Sequence, residues 1–224
     1  MSFKDWLFDL DNTLYPASSS LFPQIHERMG TFIAGALKVD LAQAHELQRT
    51  YYRTYGTTLR GLMLEHELPP DDFLAFVHEI DVTVLHADPR LEAALARIPG
   101  RRLVFTNGSA RHAENVLNHL GLSRHFDAIF DIKAANYIPK PAAETYHLMV
   151  EKFAIDPKQA VMFEDLAHNL VVPAELGMTT VWVREEGHSF AEGNEPKDLS
   201  YIDYTTDDLA GWIDDCVAPS PRGA

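Results

Sequence analysis

The spacing of hydrophobic residues changes twice along the chain. Three consecutive apolar residues, Trp6, Leu7 and Phe8, predict a short buried strand over residues 5–9. From about residue 16 to residue 86, apolar residues recur every three or four positions, which is the spacing of amphipathic helices. Turn and capping residues divide this stretch into four predicted helices, which cover residues 21–37, 41–55, 58–67 and 72–78.

After residue 89 the chain alternates between short apolar runs and helical periodicity. The predicted strands cover residues 101–108 (running into a polar turn), 126–131, 160–165 and 179–183. The predicted helices cover residues 91–98, 110–120, 142–153 and 167–176. Such alternation is typical of parallel βαβ units. The predicted fold class is therefore α/β, with a parallel sheet covered by helices and an all-helical insert after the first strand.

These patterns also predict how the chain divides into domains. Residues 1–15 and 87–216 should form the core domain, and residues 16–86 an inserted helical domain. The last residues, 217–224, are expected to be a flexible tail. Pro173 lies within the helix predicted for residues 167–176, where it should cause a kink.

Composition and charge limit the possible partners. The 224 residues include 19 Lys plus Arg and 33 Asp plus Glu, which gives a net charge of −14. A nucleic-acid polymer or an anionic membrane would repel such a protein, but a local cationic site still permits a small phosphorylated ligand. Cys216 is the single cysteine, so no intramolecular disulfide can form. The sequence has no bilayer-spanning apolar run and no signal-like start, so we expect a cytoplasmic protein.

Polar side chains suited to catalysis follow the ends of the predicted strands. Ligands of open α/β sheets bind at the carboxyl ends of the strands, so these side chains should meet in one crevice. The set contains carboxylates, one hydroxyl, one amide and one ammonium group: Asp9, Asp11, Thr106, Asn107, Lys140, Glu164 and Asp165.

Several carboxylates in one crevice indicate a bound cation, because like charges disfavour ionisation. Mg²⁺ takes oxygen ligands and often keeps phosphate oxygens in its shell, and Asp9 and Asp165 are the best ligand candidates, with Glu164 behind them. Thr106, Lys140 and the N–H groups of the Thr-Asn-Gly turn can then hold a phosphoryl group. An Asp can attack phosphorus, and a second acid two residues on can transfer protons.

Four segments resemble, in order, the motifs of the haloacid dehalogenase (HAD) superfamily: DLDNTLY, FTNG, the lysine of IPKPAAETY, and FEDLAHNL followed by GMTTVWV. They span residues 9–183. The insert resembles the helical cap of this superfamily's first cap class, and residues 51–66 are similar to the cap of the pyrimidine 5′-nucleotidase group. The resemblance implies a Rossmann-like sheet and Mg²⁺-dependent hydrolysis of a small phosphomonoester, with a nucleoside monophosphate such as UMP or CMP as the expected substrate.

The resemblance also implies a role for each motif residue. Asp9 would be the nucleophile and a metal ligand. Asp11 would be the general acid and base, and its backbone carbonyl would bind the metal. The implied metal-site residues are Asp9, Asp11, Asp165 and Glu164, and the implied phosphate-binding residues are Thr106, Asn107 and Lys140.

Three positions refine this resemblance. The namesake dehalogenases lack an acid at the position of Asp11 and need no Mg²⁺, so its presence favours phosphoryl transfer. Leu166 and Asn169 stand where many relatives have Ser and another acid. The contacts around the metal ligands are therefore expected to differ here.

Other interpretations stay open at this point. Tyr55 and Arg60 are candidates for contacting the substrate, but packing and a surface salt bridge, respectively, are compatible with them as well. Each motif alone is compatible with ordinary turn chemistry. The eleven histidines show no metal-binding spacing and are expected to be surface or packing residues. The alternative functions are a sugar phosphomutase of the same superfamily and a non-catalytic binding or regulatory protein that retains the fold.

Overall fold

Six parallel strands form the central sheet of the computed structural model, which describes residues 3–185 and 197–218. In chain order they are β1 (Asp5–Phe8), β2 (Arg101–Phe105), β3 (Ala128–Phe130), β4 (Ala160–Glu164), β5 (Thr179–Val183) and β6 (Tyr204–Thr206). Their order across the sheet is β3-β2-β1-β4-β5-β6, and each neighbouring pair is parallel. β1 therefore lies between β2 and β4, and the carboxyl ends of all strands lie along one edge.

The sequence of β1 explains why this strand is central. Its four residues, DWLF, are all buried, and successive side chains point to opposite faces of the sheet. On one face Phe8 stacks on Phe163 with ring centroids 4.6 Å apart, next to Trp6. On the other face Leu7 packs in a second apolar cluster. Apolar cover on both faces is expected of a parallel sheet, and Phe8→Ala would cost about 3–5 kcal/mol of stability.

Nine α-helices accompany the sheet in the described part of the chain. Five lie between β1 and β2: α1 (Leu21–Leu37), α2 (Leu41–Tyr55), α3 (Thr58–His66), α4 (Pro70–Val77) and α5 (Pro89–Arg97). The others are α6 (Ala110–Leu120), α7 (Ala143–Phe153), α8 (Val171–Leu176) and α9 (Leu209–Val217). None of the helices within residues 3–185 and 197–218 is both long and apolar enough to cross a membrane.

The helices between β1 and β2 belong to two packing groups. Helices α1–α4 surround an apolar cluster of their own, which includes Ile33, Tyr51, Leu62 and Phe73. Helix α5 instead packs against α9 and contributes Leu95 to the cluster on the sheet. The domain limits predicted at residues 16 and 87 stay a prediction.

The predicted α/β fold, with a parallel sheet and a helical insert after the first strand, is confirmed. One predicted helix differs, because residues 167–176 consist of a 3₁₀ helix (Ala167–Leu170) followed by α8. Pro173 lies in the first turn of α8, where the backbone N–H that proline lacks would have no helical partner. Pro173 therefore lies near the start of a short α-helix and not in the interior of a ten-residue helix, as the sequence pattern predicted.

The end of the chain contains two elements that the sequence pattern did not predict. β6 has three residues and lies at the edge of the sheet, and α9 follows it. Helix α9 extends to Val217, the first residue of the predicted tail, and the tail stays a prediction. The remainder of the predicted tail, residues 219–224, lies outside the described residues.

Candidate active site

The carboxyl ends of the central strands bring together five of the predicted site residues, and we call these residues the floor of the site: Asp9, Thr106, Lys140, Glu164 and Asp165. Asp9 directly follows β1, and its N–H donates to the carbonyl of Phe163 at 2.9 Å. Thr106 directly follows β2, and its N–H donates to the carbonyl of Phe130 at 3.0 Å. The hydrogen bonds between neighbouring strands therefore fix the backbone positions of Asp9 and Thr106.

Lys140 is the cation at the centre of the floor. Its ammonium donates to Asp9 Oδ1 at 2.6 Å, to Glu164 Oε2 at 2.7 Å and to the carbonyl of Phe105 at 2.8 Å. Burial disfavours the charge, but the carboxylates of Asp9 and Glu164 outweigh burial and raise the pKa of Lys140. An ammonium group has three donors, so protein oxygens engage all of them in this arrangement. Lys140 thus connects the predicted nucleophile to the predicted metal site.

Asn107 fixes the backbone of the loop that carries Lys140. Its side-chain Nδ2 donates to the Lys140 carbonyl at 3.2 Å, and its Oδ1 accepts from the Lys140 N–H at 2.8 Å. This reciprocal pair joins the turn after β2 to the loop before α7. Both ends of the Asn107 side-chain amide are therefore used within the protein. The phosphate-binding role predicted for Asn107 is left to the backbone N–H groups of this turn and stays a prediction.

The turn after β2 holds Thr106 in a fixed position. The Thr106 hydroxyl accepts a hydrogen bond from the N–H of Gly108 at 2.9 Å and keeps its own proton for donation to a ligand. A Cβ atom at Gly108 would lie 3.2 Å from Thr106 Oγ1 and 3.3 Å from the His112 ring. A side chain at position 108 would therefore crowd this turn.

Three acids of the floor lie close enough to share one metal ion. Asp9, Glu164 and Asp165 each offer a carboxylate oxygen, and these oxygens lie within 4.8 Å of one another. Burial, followed by the charge of Glu164, raises the pKa of Asp9 to about 8. Burial and the same neighbour also raise the pKa of Asp165 well above its usual value. Lys140 therefore does not balance this cluster by itself.

The donor set fits Mg²⁺. It consists of carboxylate oxygens, which this ion prefers, and a divalent cation would stabilise the anionic forms of Asp9, Glu164 and Asp165. Asn169, which also lines the cavity, has a buried Oδ1 that lacks a hydrogen-bond partner among the described residues. An unpaired buried oxygen on a residue that lines the same cavity as these acids is suited to binding water.

The side chain of Asp11 has partners outside this acid cluster. Its Oδ1 accepts from the Tyr15 hydroxyl at 2.6 Å and lies 2.8 Å from His112 Nε2. Burial alone would raise the pKa of Asp11, but the interactions with His112 and Tyr15 hold it at about 2. The two predicted acids of the first motif therefore lie in different environments, as their predicted roles require.

His78 and His112 join this network, although the sequence pattern assigned histidines to packing or the surface. His78 caps the end of α4, and its ring stacks on that of His112 with centroids 4.3 Å apart. Its Nδ1 also lies 3.1 Å from the hydroxyl of Ser109. For His112 a usable signal was present in the sequence, since it lies in the first turn of the helix that follows an active-site strand.

A cavity of about 380 Å³ lies between the floor and the helical insert. We call the cavity-lining side chains of α1–α4 the roof. Its apolar members are Phe22, Ile25, Met29, Leu59, Phe73, Leu74 and Val77. Polar members accompany them, among them His26, Arg49 and Arg53. The cavity can therefore take a molecule with an anionic end on the floor and a less polar body under the roof.

Helix α2 brings part of the roof close to the floor. Burial, together with the charges of Asp165 and Glu164, raises the pKa of the cavity-lining Tyr52 to about 12. The helix ends at Gly56, whose φ of +82° suits glycine. A Cβ atom there would lie 3.3 Å from Pro139. A glycine at this position lets the helix end directly against the loop of Lys140.

The two predicted substrate residues do not line this cavity. The hydroxyl of Tyr55 donates to Glu65 on α3, so its ring lies on the side of α2 that faces α3. Arg60 is partly exposed in the first turns of α3. The substrate roles predicted for Tyr55 and Arg60 therefore have no support from the geometry, whereas the neighbouring Tyr52 lies in the cavity wall.

Comparison with known proteins places the chain in a family. Residues 6–174 match the model of the haloacid dehalogenase-like hydrolases. The chain belongs to this family of hydrolases, and the predictions of an enzyme and of HAD membership are confirmed.

Curated relatives extend this comparison. The chain is 29% identical over 138 residues to phosphate metabolism protein 8 of Saccharomyces cerevisiae, covering 56% of this chain and 42% of that protein. It is 37% identical over 89 residues to fructose-1-phosphate phosphatase YqaB of Escherichia coli, and this match covers 38% of this chain and 46% of that protein. It is 23% identical to glyceraldehyde 3-phosphate phosphatase of Methanocaldococcus jannaschii, and this match covers 94% of this chain and 96% of that protein. The first two matches span less than half of the length of these relatives.

Solved structures agree on the fold. A HAD phosphatase from Thermococcus onnurineus superposes with a TM-score of 0.65 at 18% identity and covers 96% of this chain and 98% of its own. At this identity the likeness shows the fold alone. The names of these relatives do not support the predicted membership of the pyrimidine 5′-nucleotidase group, which stays a prediction.

Proposed function

We propose that this protein is a Mg²⁺-dependent phosphomonoesterase that forms an aspartyl-phosphate on Asp9. The observation that carries the proposal is the floor itself, where Lys140 connects Asp9 to Glu164 and three carboxylates lie within reach of one cation. Phosphatases among the relatives support the same reaction class. Asp9, Asp165 and Glu164 would hold Mg²⁺, and the bound ion would supply positive charge next to the phosphate oxygens.

The first half of the reaction transfers the phosphoryl group to the protein. A carboxylate oxygen of Asp9 attacks phosphorus, the bond to the ester oxygen breaks, and that oxygen leaves with a proton. In the arrangement seen here Asp11 is a carboxylate, because its pKa is held at about 2. The proton for the leaving group can come from the phosphomonoester monoanion through Asp11, because the second pKa of such esters is about 6. Thr106 donates to a phosphoryl oxygen.

The second half returns the site to its starting state. Asp11, as a carboxylate, takes a proton from a water molecule, and the water oxygen attacks the phosphorus of the aspartyl-phosphate. The bond between phosphorus and Asp9 breaks, Asp11 gives its proton to the departing phosphate, and inorganic phosphate leaves. Asp11 is in the carboxylate form that this step needs, and its two hydrogen-bond partners fix the position of Oδ1.

The roof supports a proposal for the substrate. We infer a small phosphorylated metabolite with a planar or apolar body, and pyrimidine nucleoside monophosphates such as UMP and CMP meet this description. The support is the group of apolar side chains that line the cavity, with Tyr52 beside the acids. Sugar phosphates are the second candidate, which the fructose-1-phosphate and glyceraldehyde 3-phosphate phosphatases among the relatives favour.

The reaction is tested first by removing the nucleophile. We expect Asp9→Asn to fold but to lose nearly all hydrolysis of p-nitrophenyl phosphate, because an amide cannot form the phosphoenzyme. We also expect EDTA to abolish the wild-type activity and Mg²⁺ to restore it. If folded Asp9→Asn hydrolysed p-nitrophenyl phosphate as fast as the wild type, the mechanism would be wrong.

The substrate is tested with a panel of UMP, CMP, AMP, fructose 1-phosphate, glyceraldehyde 3-phosphate and glycerol phosphate. Release of inorganic phosphate measured side by side distinguishes the two classes, and preference for UMP and CMP is the expected result. Preference for the sugar phosphates would replace the nucleotide proposal. Isomerisation of a sugar phosphate without release of phosphate would indicate a phosphomutase.

A further inference from the structure

Two buried donors converge on one oxygen of Asp11. The Tyr15 hydroxyl and His112 Nε2 both lie within hydrogen-bond distance of Oδ1, at 2.6 and 2.8 Å. Oδ2 accepts no side-chain hydrogen bond from the residues that the structure describes, and the Asp11 side chain keeps 17% exposure toward the cavity. One carboxylate oxygen is thus fixed by the protein, and the other is left for water.

Both the backbone and the ring of His112 are held in place. The residue is 1% exposed and lies in the first turn of α6, where its backbone N–H donates to Ser109 Oγ at 3.3 Å. The ring of His78, at the end of α4, stacks on the His112 ring with centroids 4.3 Å apart and planes 10° apart. Since His78 belongs to the helical insert and also reaches Ser109, the insert contacts the group that holds Asp11.

We infer that His112, braced by His78 and aided by Tyr15, is a positioning residue that aims the Asp11 carboxylate at the water that hydrolyses the aspartyl-phosphate. This inference rests on the proposed phosphatase function and deepens it. His112 acts through Asp11 and touches neither phosphorus nor the leaving group. Its contribution should therefore appear in the water step and be small in the formation of the phosphoenzyme from an activated ester.

p-Nitrophenyl phosphate separates these two steps. Its leaving group, p-nitrophenolate, departs without a proton, so the first turnover needs Asp9 and little help from Asp11. Hydrolysis of the phosphoenzyme needs Asp11 in every case. Rapid-mixing measurement of the first-turnover rate and the steady-state rate on the same sample reports both steps.

The test uses His112→Leu, which is similar in size and cannot hydrogen-bond. We expect the steady-state rate to fall by about 100-fold while the first-turnover rate changes little, because misplacing a catalytic group by about 1 Å has an effect of this size. The ratio of the two rates should rise accordingly, and phosphoenzyme should accumulate. His112→Gln, which retains a donor, should recover most of the loss, and Tyr15→Phe should change the ratio in the same direction by less.

His119→Leu is the matched control, since His119 lies on the same helix and hydrogen-bonds only at the carbonyl of Leu85 among the described residues. It should leave the ratio as in the wild type. An unchanged ratio in His112→Leu, or an equal fall in both rates, would overturn the inference while the proposed function stands. If His112→Leu does not fold, Tyr15→Phe carries the test, and an unchanged ratio in that variant would overturn the inference. A wild-type protein that does not hydrolyse any phosphomonoester would instead remove the proposed function, and this inference with it.

Discussion

The floor of the cavity carries buried charges, whereas its roof carries apolar side chains mixed with a few polar ones. On the floor, Lys140 and Glu164 are 2% and 1% exposed, and their charged atoms bond directly to one another. On the roof, residues such as Phe73 and Leu59 offer shape and no charge. The difference indicates that the floor determines which reaction takes place and that the roof determines which molecule undergoes it.

The largest expected effect comes from Lys140→Met on the floor. The variant leaves Asp9 and Glu164 buried without their shared cation, so the free energy of unfolding should fall by about 3–5 kcal/mol. Turnover of p-nitrophenyl phosphate should fall by about 10²- to 10³-fold, the usual result of removing one stabilising donor. Urea denaturation and steady-state kinetics measure the two quantities.

A matched lysine provides the control for this comparison. Lys133 also forms an ion pair, with Asp71 of α4 at 2.6 Å, but its side chain is 47% exposed. Lys133→Met should therefore change the free energy of unfolding by less than about 1 kcal/mol. Equal losses of stability in the two variants would show that the buried ion pairs of Lys140 contribute no more to stability than the exposed ion pair of Lys133.

A smaller and more selective effect is expected from Tyr52→Ala on the roof. Removing this ring should lower kcat/KM for the preferred metabolite by about tenfold, within the range of a pocket contact, because the body of the substrate loses its wall. The same variant should retain its turnover of p-nitrophenyl phosphate. The control is Tyr55→Ala. Tyr55 lies one turn further along α2 and does not line the cavity, so this variant should leave the substrate preference unchanged. A uniform loss with all substrates would place Tyr52 in the reaction itself.

The smallest expected effect concerns pH and the contact between roof and floor. Burial, followed by the charge of His112, lowers the pKa of His78 from 6.5 to about 3. The folded protein therefore binds fewer protons than the unfolded chain between these values, so stability is fully present above pH 6.5 and is lost as the pH falls toward 3. His78→Phe keeps a stacking ring and removes this titration.

The measurement for His78 is the free energy of unfolding at pH 7 and at pH 5. The wild type should lose more stability across this interval than His78→Phe, by on the order of 1 kcal/mol. An identical loss in both proteins would mean that His78 is as accessible to protons in the fold as in the unfolded chain.

Most of the floor was predictable from the sequence, because Asp9, Thr106, Glu164 and Asp165 stand at the ends of apolar runs. Parallel strands end at a common edge, so runs that end in Asp9, Thr106 and Asp165 bring these residues together whatever separates them in the chain. The strand β6 was missed for the opposite reason. Three residues, Tyr204–Thr206, are too few to show a period, and their place in the sheet depends on pairing with β5.

The roof was less predictable, because it depends on how each helix is rotated. Tyr52 and Tyr55 lie about 60° apart around α2, since an α-helix turns by about 100° per residue. Periodicity identifies the buried side of a helix but does not separate these two directions, and Tyr52 rather than Tyr55 faces the cavity. The meeting of His112 with Asp11 is likewise a tertiary contact, formed across 101 residues of sequence.

The separate packing of α1–α4 has a consequence for how such enzymes change over time. These four helices surround an apolar cluster of their own, whereas α5 packs on the sheet and leads the chain to the adjacent parallel strand β2. A lineage can therefore replace the helices that select the metabolite and still inherit the complete set of reacting groups. What a replacement must reproduce is small: a residue without a side chain where Gly56 meets Pro139, and a flat ring where His78 rests on His112.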